Sequence, residues 1–572
     1  MFNQETMSLE QKVGQLFICG FHSYTPDEQI TTLIGKYQVG GVIYFRRNVQ
    51  SAPQLAKLSG GLQTLAMEAL SGLPLLIAID QEGGMVSRLD HDGISRIPGN
   101  MSLGAADDPA LTEAIAALSA KELNLLGINM NFAPCVDVNN NPLNPVIGVR
   151  SYSEDPMKVA VHGEAAVRGF QGSGIIATAK HFPGHGDTEV DSHMGLAVVG
   201  HDKQRLYDVE LLPFKRMIQA GVKAIMTAHV VFPAFEPKGT PATLSRAVLT
   251  DLLREELEFE GVIVTDCLEM KAISDRYGVA EGAVMALEAG ADLVLVSHTL
   301  EEQTAAIEAA VAAVKSGRLS ETAIDRSLQR ILALKSGLAT VNTAVTAVPF
   351  AAPQHMKQSL KQGIEQGTQL NTEHGVPLLP SEQTVPLLEQ AAGKSITLVK
   401  NEGNPPRLPL DTALSTLVVW PELRHRTEVD EAAEYRYTLA DALQPYLPEI
   451  KLAAIGTRAT DEEVQTVLRE AEAYSQVVVV TYTSEGTLPE GQVRLVKGLM
   501  TQKQEKITVV SARNPYDIQA FPEVQAYLCA YENRPFALDA VAAVLVGRRQ
   551  PGGRLPVTLS NQFPVGTGLT YL

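Results

Sequence analysis

The chain is poor in cysteine, and its few cysteines are scattered. Four occur among 572 residues, at Cys19, Cys135, Cys267 and Cys529. No two of them form a CxxC pair, so the sequence offers no paired-cysteine motif for a metal or redox centre. Three of them fall at or near predicted strand ends, where a free thiol is a small buried apolar group. We therefore expect reduced cysteines and a cytoplasmic location.

Basic residues are also in deficit. The sequence has 47 Lys and Arg against 65 Asp and Glu, for a formal net charge of -18, and no basic patch compensates. This balance opposes binding to nucleic acid or to an anionic membrane. No segment is long and apolar enough to span a bilayer, and residues 1–8 lack a basic region followed by an apolar run. We expect neither nucleic acid nor a membrane among the partners.

From its start, the sequence alternates short apolar runs with longer amphipathic stretches. Eight such units fill about 340 residues, and the connections are long enough for parallel crossovers. The pattern predicts an α/β fold that begins with a (β/α)8 TIM-type barrel. The predicted barrel strands are Gly14–Gly20, Gly40–Phe45, Pro74–Asp80, Ile128–Phe132, Gly174–Lys180, Val222–Ala228, Gly261–Asp266 and Asp292–Ser297. The predicted helices between them are Pro53–Ala69, Pro109–Leu126, Met157–Gln171, Lys203–Ala220, Arg246–Leu257, Gly278–Ala289 and Glu301–Ser316.

The alternation stops near residue 339 and resumes near residue 385. The segment between them is rich in Ala, Thr, Gln and Pro, which predicts a linker or wrapping segment. A second α/β series follows and predicts a smaller α/β sandwich domain. We therefore predict a barrel over residues 1–338, a linker over 339–385 and a sandwich over 386–572. The predicted sandwich strands are Ser395–Lys400, Thr416–Trp420, Leu452–Ile455, Gln476–Tyr482, Ile507–Ser511 and Ala526–Tyr531.

One stretch, residues 180–195 (KHFPGHGDTEVDSHMG), has a composition that neither a core nor an ordinary surface loop requires. It holds three histidines, three acidic residues and a lysine among three glycines and a proline. It begins where the predicted fifth strand ends. Ionisable side chains at the end of a buried strand are typical of a catalytic or binding site.

Polar residues also follow other predicted barrel strands. Asp80 ends the third strand, His229 follows the sixth and Asp266 ends the seventh. Active sites of such barrels lie at the carboxyl ends of the strands. A rigid strand would hold the Asp266 carboxylate toward the barrel mouth, as a nucleophile requires. The alternative is that Asp266 caps the next helix.

Asp191 lies two residues before His193. In a looped backbone the two side chains can meet, so that Asp191 would orient His193 as a general acid and base. One alternative is a hydrogen-bonded pair that only stabilises the loop, and another is a metal site. The spacings match no HExxH or similar motif, so we predict no metal. The ligand-type residues of the stretch are His181, His185, Asp187, Asp191 and His193.

Three basic residues, Arg88, Arg150 and Lys180, lie at or just beyond predicted strand ends among polar residues. Singly, each is more typical of a solvated or ion-paired side chain. Together with Asp80 they could hydrogen-bond a polyhydroxylated ligand. Aromatic residues make up only 5% of the chain and Trp420 is the sole tryptophan. This favours a pocket closed by hydrogen bonds over extensive ring stacking.

Four segments carry a resemblance to a known family. They are residues 79–88 (IDQEGGMVSR), 131–152, 180–195 and 261–270 (GVIVTDCLEM). In this order they closely resemble the family 3 glycoside hydrolases, and within that family the β-N-acetylglucosaminidase branch, which is marked by KHFPGHGDTxxDSH. The resemblance covers residues 10–340 well and extends through a two-domain layout to the C-terminus.

The resemblance implies that Asp266 is the catalytic nucleophile and that His193 is the general acid and base, oriented by Asp191. It implies a retaining exo-β-N-acetylglucosaminidase that cuts terminal β-linked N-acetylglucosamine from peptidoglycan fragments during cell-wall recycling. The substrate would be a small carbohydrate or muropeptide, and no cofactor is needed. The residues it places around the sugar are Asp80, Arg88, Arg150, Lys180 and His181.

Two positions depart from the family pattern. Met85 stands where the family often has arginine, and Cys267 stands where an acid is common. These departures bear on substrate detail and not on the chemistry. Two alternatives stay open. One is a phosphorylase of the same fold, because a neutral His193 would not repel phosphate, and the other is a non-catalytic sugar-binding protein.

Overall fold

The computed structural model describes residues 6–91, 93–189, 195–338, 384–403, 405–422, 437–483, 486–503 and 506–571. The predicted pair Asp191 and His193 therefore lies outside the described residues. The predicted linker lies outside them as far as residue 383. A helix begins at Thr384, near the end of that predicted segment.

Eight parallel strands form the first sheet, and all eight predicted barrel strands are present. They are β1 (Phe17–Cys19), β2 (Gly41–Tyr44), β3 (Leu76–Ile79), β4 (Met130–Asn131), β5 (Ile176–Phe182), β6 (Ala224–Thr227), β7 (Val262–Val264) and β8 (Val294–Val296). Their order is β7-β6-β5-β4-β3-β2-β1-β8. A parallel bridge between Val264 and Leu293 brings β7 beside β8. The predicted (β/α)8 barrel is confirmed.

Most residues of the barrel strands are apolar because both faces of a closed parallel sheet are covered, and Asn131, Lys180 and His181 are exceptions. β7 reads Val-Ile-Val and β8 reads Val-Leu-Val, and every residue in both is buried. Polar side chains begin where the apolar runs end, because there the chain leaves the core for the loops. Asp80 follows β3 and Asp266 follows β7 at these points.

Helices cover the outside of the barrel. The predicted single helix over Lys203–Ala220 is wrong, because two helices, Lys203–Asp208 and Leu211–Gln219, occupy that range. Pro213 explains the break, since its ring would clash with the carbonyl of residue 209 in a continuous helix. None of the helices in the described ranges is long and apolar enough to cross a membrane. The other barrel helices are Leu9–Gly14, Glu28–Gly35, Ala52–Glu68, Asn100–Ala106, Pro109–Leu125, Pro156–Gly172, Lys271–Tyr277, Val279–Ala289, Leu300–Lys315 and Glu321–Leu338, with a π-helix over Ala247–Glu256.

A six-stranded sheet forms the second part of the chain, and all six predicted sandwich strands are present. They are β9 (Thr397–Asn401), β10 (Thr416–Glu422), β11 (Ile450–Gly456), β12 (Gln476–Thr481), β13 (Ile507–Ser511) and β14 (Ala526–Cys529). The order is β9-β14-β13-β12-β10-β11, and only β9 is antiparallel to its neighbour. The helices here are Thr384–Ser395, Leu439–Leu443, Asp461–Ala471, Glu490–Lys503 and Pro535–Leu545, with a 3₁₀ segment over Pro515–Ala520.

The two sheets are joined by a continuous apolar contact. The hydrophobic core of the sandwich includes Met85, Met101, Ala105 and Val149, which belong to the segments that follow β3 and β4. The sandwich therefore packs against loops at the carboxyl end of the barrel, the end where active sites of this fold lie.

Candidate active site

A cavity of about 290 Å³ lies at the carboxyl ends of the barrel strands. It is near the lower end of the roughly 300–1,000 Å³ that small-molecule sites occupy, so it suits a small ligand group. Six of the eight predicted site residues line it: Asp80, Arg88, Arg150, Lys180, His181 and Asp266. The other two, Asp191 and His193, lie outside the described residues. The remaining lining residues are Ile43, Phe45, Arg47, Glu82, Val86, Phe132, Val146, His185, Met226, Cys267, Met270, Leu295, Ser297 and His298.

One wall of the cavity is a network of buried ion pairs. Lys180 Nζ lies 2.8 Å from Asp80 Oδ1 and 2.7 Å from Glu82 Oε1. Arg150 binds the same Glu82 carboxylate through two parallel bonds, Nε to Oε2 at 2.9 Å and Nη2 to Oε1 at 2.8 Å. Paired donors of this kind fix both side chains in one geometry. The network presents a fixed array of donors and acceptors to a ligand.

The charges of Glu82 and Lys180 hold each other in the ionised state. Burial alone would raise the pKa of Glu82, but the charges of Arg150 and Lys180 outweigh it and keep that pKa well below its usual range. Burial alone would lower the pKa of Lys180, but Asp80 and Glu82 outweigh it and raise that pKa. Lys180 therefore faces the cavity as a cation at neutral pH.

A second buried carboxylate, Asp137, holds the start of the histidine-rich stretch. Its oxygens accept hydrogen bonds from His181 N at 3.2 Å, from His181 Nδ1 at 2.7 Å and from His185 N at 2.6 Å. Burial opposes its ionisation, yet the neighbouring histidines lower the pKa of Asp137 to about 2. This fixes the His181 ring, whose Nε2 lies 3.4 Å from Arg150 Nη2.

His185 is buried, and its ring packs edge to face with the ring of His181, with the ring centres 5.9 Å apart. Burial, and then the charge of His181, lower the pKa of His185 to about 4. Its Nδ1 lies 2.9 Å from Thr188 Oγ1, and Asn144 Nδ2 donates to its carbonyl oxygen at 2.9 Å. At neutral pH this histidine is therefore an uncharged part of the wall, and its hydrogen bonds connect it to Thr188 and Asn144.

Asp266 comes from the last of the four sequence segments and lines the same cavity. Its Oδ1 accepts a hydrogen bond from Cys267 N at 2.7 Å. The next helix, Lys271–Tyr277, has Met270 at its N-cap with no side-chain cap bond. Asp266 therefore does not cap that helix, and the alternative interpretation of Asp266 as an N-cap is wrong.

Phe45 forms an aromatic and cationic part of the wall. The Arg47 guanidinium lies 4.2 Å from the Phe45 ring centre and that of Arg88 lies 5.6 Å from it. The His298 ring lies 5.3 Å from the same ring. Arg88 also reaches Asp80, with Nη2 3.6 Å from Oδ2. Arg88 therefore connects this part of the wall to the ion-pair network.

Sequence reasoning assigned no role to Glu82 or Asp137, and it named His185 only as a residue of a metal-ligand type. Glu82 lies two residues after Asp80 in the segment 79–88, so its position along the chain is a signal that it belongs to the site. Asp137 gives no such signal, because its partners are His181 and His185, more than forty residues away. Only the fold brings them together.

Some of these residues are also of the type that binds metals. Among the described residues, Cys135, Asp137 and His181 have ligand-type atoms within 4.8 Å of one another. Their contacts already use those atoms, since Cys135 Sγ donates to Asp137 Oδ2 at 3.2 Å and His181 Nδ1 lies 2.7 Å from it. This pattern is that of a hydrogen-bonded cluster, and the absence of a metal stays a prediction.

Two family profiles match the chain. The profile of the Glycosyl hydrolase family 3 N terminal domain matches residues 8–334. The profile of the Glycosyl hydrolase family 3 C-terminal domain matches residues 396–565. Beta-hexosaminidase A of Pseudoalteromonas piscicida is 31% identical, and the match covers 98% of each chain.

Solved structures are similar as well. A glycoside hydrolase family 3 beta-N-acetylglucosaminidase from Paenibacillus sp. str. FPU-7 is 47% identical with a TM-score of 0.88, over 97% of this chain and 99% of that one. A beta-N-acetylhexosaminidase from Beutenbergia cavernae DSM 12333 is 35% identical with a TM-score of 0.55, over 58% of this chain and 99% of that one.

Proposed function

The chain belongs to glycosyl hydrolase family 3 and is a glycoside hydrolase that acts on a carbohydrate, and we propose that it removes terminal β-linked N-acetylglucosamine with retention of configuration. The observation that carries the proposal is the cavity itself. The Asp266 carboxylate lines the same small space as a fixed array of hydrogen-bond donors and acceptors, which supports its role as a nucleophile beside a bound sugar. The beta-hexosaminidase and beta-N-acetylglucosaminidase relatives support the choice of sugar.

The proposed reaction has two steps. Asp266 attacks the anomeric carbon while His193, oriented by Asp191, protonates the departing oxygen, which gives a covalent glycosyl-enzyme. Neutral His193 then takes a proton from water, and the water oxygen attacks the anomeric carbon and releases the sugar with its configuration retained. No metal or cofactor takes part in this scheme.

The ion-pair wall is proposed to bind the sugar. The Asp80 carboxylate accepts hydrogen bonds from sugar hydroxyl groups, while Arg88, Arg150, Lys180 and His181 supply donors. Glu82 does not bind the sugar in this scheme. It balances the charges of Arg150 and Lys180 and fixes the orientation of their side chains. This lowers the entropic cost of ordering those side chains when the sugar binds.

The size of the cavity supports an exo-acting enzyme with a small substrate. From a volume of about 290 Å³ we infer that the cavity binds one terminal sugar and not a run of sugars. We propose peptidoglycan fragments in cell-wall recycling as the substrate, and the cytoplasm as the location. We also propose the domain division 1–338, 339–385 and 386–572, which fits family profiles that end at residue 334 and begin again at residue 396.

A panel of aryl glycosides and muropeptides, incubated with and without phosphate, tests the function. We expect release of N-acetylglucosamine from β-N-acetylglucosaminides, at a rate that phosphate does not change. Formation of N-acetylglucosamine 1-phosphate only when phosphate is present would identify a phosphorylase instead. No release from any member of the panel would identify a sugar-binding protein without this activity.

A further inference from the structure

The segment that follows β3 is held from the second sheet. Residues Gln81–Gly83 pair antiparallel with Val86–Ser87 to form a short hairpin, which we call the pocket hairpin (residues 81–90 including its exit). Arg534, from the loop after β14, donates from Nε to the carbonyl oxygen of Gly84 at 3.0 Å and from Nη2 to the same oxygen at 2.5 Å. Its Nη1 lies 2.6 Å from Asp90 Oδ2. One guanidinium therefore binds both the turn and the exit of the hairpin.

This contact is buried and its charges are balanced. The Arg534 side chain is 7% exposed and that of Asp90 is 1% exposed. Burial alone would raise the pKa of Asp90, but Arg534 and Arg96 outweigh it and lower that pKa. A charge-assisted contact of this kind, shielded from water, holds its partners in one geometry. The pocket hairpin is therefore fixed at two points by a single side chain.

The backbone of the turn packs closely against the segment around Gly99. A Cβ added at Gly84, whose φ is +54°, would lie 2.6 Å from Gly99 Cα and 3.4 Å from Glu532 Oε2. Glu532, from the same loop as Arg534, accepts hydrogen bonds from Gly99 N at 3.3 Å and from Ser102 Oγ at 3.1 Å. The loop after β14 and the segment around Gly99 thus pack against the turn, and a side chain at position 84 would not fit.

The pocket hairpin carries three residues that line the cavity, Glu82, Val86 and Arg88, and two of them are charged. Glu82 fixes Arg150 and Lys180, as described above. Arg88 lies over Phe45 and beside Asp80. A displacement of the hairpin would therefore move both walls of the cavity together, and a misplacement of about 1 Å can cost on the order of 10²-fold in rate.

We propose that Arg534 is a positioning residue of the active site, through which the sandwich sets the geometry of the sugar-binding wall. The inference rests on the proposed function, because it assigns sugar binding to the wall that Arg88 and Glu82 build. Arg534 does not line the cavity, so it acts through the hairpin and not on the sugar.

Other contacts between the two parts of the chain provide a control. Glu154, from the segment before the helix Pro156–Gly172, accepts hydrogen bonds from Thr558 N at 2.7 Å and Thr558 Oγ1 at 2.6 Å. Neither residue is among those that line the cavity, and neither belongs to the pocket hairpin. The Glu154→Ala variant therefore weakens the same interface without affecting the hairpin.

The experiment compares Arg534→Met, Arg534→Lys and Glu154→Ala with the unmodified chain on an aryl β-N-acetylglucosaminide, with thermal unfolding measured for each. We expect Arg534→Met to raise KM between about tenfold and a hundredfold, with a smaller fall in kcat. Arg534→Lys keeps the charge and should recover part of the loss. It serves as the test if the methionine variant does not fold. Glu154→Ala should lower the unfolding temperature and leave KM unchanged.

A double variant shows whether Arg534 acts through Arg88. If it does, Arg534→Met should raise KM far less in an Arg88→Met background than alone, so the two losses combine to less than their product. The proposal would be overturned if the increase in KM of the double variant equalled the product of the two single increases. It would also be overturned if both Arg534 variants had the same KM as Glu154→Ala. An unmodified chain that turns over no N-acetylglucosaminide would instead overturn the proposed function.

Discussion

Polar side chains lie at the carboxyl ends of parallel strands in both sheets, but the two sets of side chains have different surroundings. At the ends of the barrel strands, Asp80, Lys180 and Asp266 face a cavity. At the end of β12, Thr481 Oγ1 donates to the buried carboxylate of Asp517 at 2.6 Å, and Thr483 Oγ1 donates to it at 2.5 Å. The same position in a parallel sheet thus borders a cavity in one part and supports internal hydrogen bonding in the other.

The difference lies in what covers the strand ends. The loops that follow β12, β13 and β14 contact the barrel, and their polar groups bond either to the barrel or within the sandwich. Arg534 on Gly84 and Tyr516 on Asn139 are examples, the latter with Oη 3.0 Å from Nδ2. A polar strand end therefore indicates a site only when it borders open space, which a sequence does not reveal by itself.

The largest expected effect comes from the proposed nucleophile. Asp266→Ala should lower kcat by about 10⁴-fold or more, because the other carboxylates of the cavity, Asp80 and Glu82, are engaged in ion pairs. The matched change in the sandwich, Asp517→Asn, should leave kcat and KM unchanged. Steady-state kinetics on an aryl N-acetylglucosaminide measure both. Substantial turnover by the Asp266 variant would remove Asp266 from this role.

The next effect separates proton transfer from sugar binding. His193→Ala should lower kcat/KM by roughly 10²–10⁴-fold for substrates with poor leaving groups, which need a proton donor. Substrates with activated aryl leaving groups should lose far less, because their departing oxygen needs little help. The measurement is kcat/KM across leaving groups of different pKa. Equal losses across the series would contradict proton donation by His193.

The ion-pair wall should affect stability as well as binding. Glu82→Gln leaves Arg150 and Lys180 buried with one negative partner fewer, which we expect to cost about 3–5 kcal/mol of unfolding free energy and to raise KM. The control is Glu113→Gln at the exposed pair with Arg168, which should cost less than about 1 kcal/mol. Urea unfolding measures both. Equal costs for the two variants would mean that burial of the wall does not matter.

The buried carboxyl group of Asp517 should make the unfolding free energy depend on pH. Burial raises the pKa of Asp517 to about 6, above its value of about 3.9 in an unfolded chain. The folded state therefore binds the proton more tightly, and this contribution is present below about pH 4 and lost as the pH rises through about 6. It amounts to about 2–3 kcal/mol.

The amide in the Asp517→Asn variant stays uncharged at every pH. The variant therefore does not lose this part of its unfolding free energy as the pH rises. Its unfolding free energy relative to the unmodified chain should rise by about 2–3 kcal/mol between pH 4 and pH 7. Urea unfolding at both pH values measures the difference. A difference that stays constant would show that this carboxyl is not held protonated.

The smallest expected effect is that of removing metal ions, which should not change the activity. Treatment with a chelator should leave the activity unchanged, because hydrogen bonds within the cluster of Cys135, Asp137 and His181 already use its ligand-type atoms. Loss of activity that added Zn²⁺ restores would contradict the prediction and indicate a metal site.

The sequence predicts the elements and the strand-end residues well, and the reason is local. Apolar runs such as those of β7 and β8 mark strands, and polar residues mark where each run ends. It does not predict partners that are far apart along the chain. Glu82 meets Arg150 across 68 positions and Arg534 meets Gly84 across 450. Such pairs follow from the closed barrel and from the packing of the sandwich, and no local pattern encodes them.

Trapping of the covalent intermediate tests the central claim most directly. A fluorinated N-acetylglucosaminyl substrate with a good leaving group should slow the release of the sugar and let the glycosyl-enzyme accumulate. We predict that the mass of the protein rises by one sugar, and that the modified peptide contains Asp266. An unchanged mass during turnover, or a label on another residue, would contradict the account.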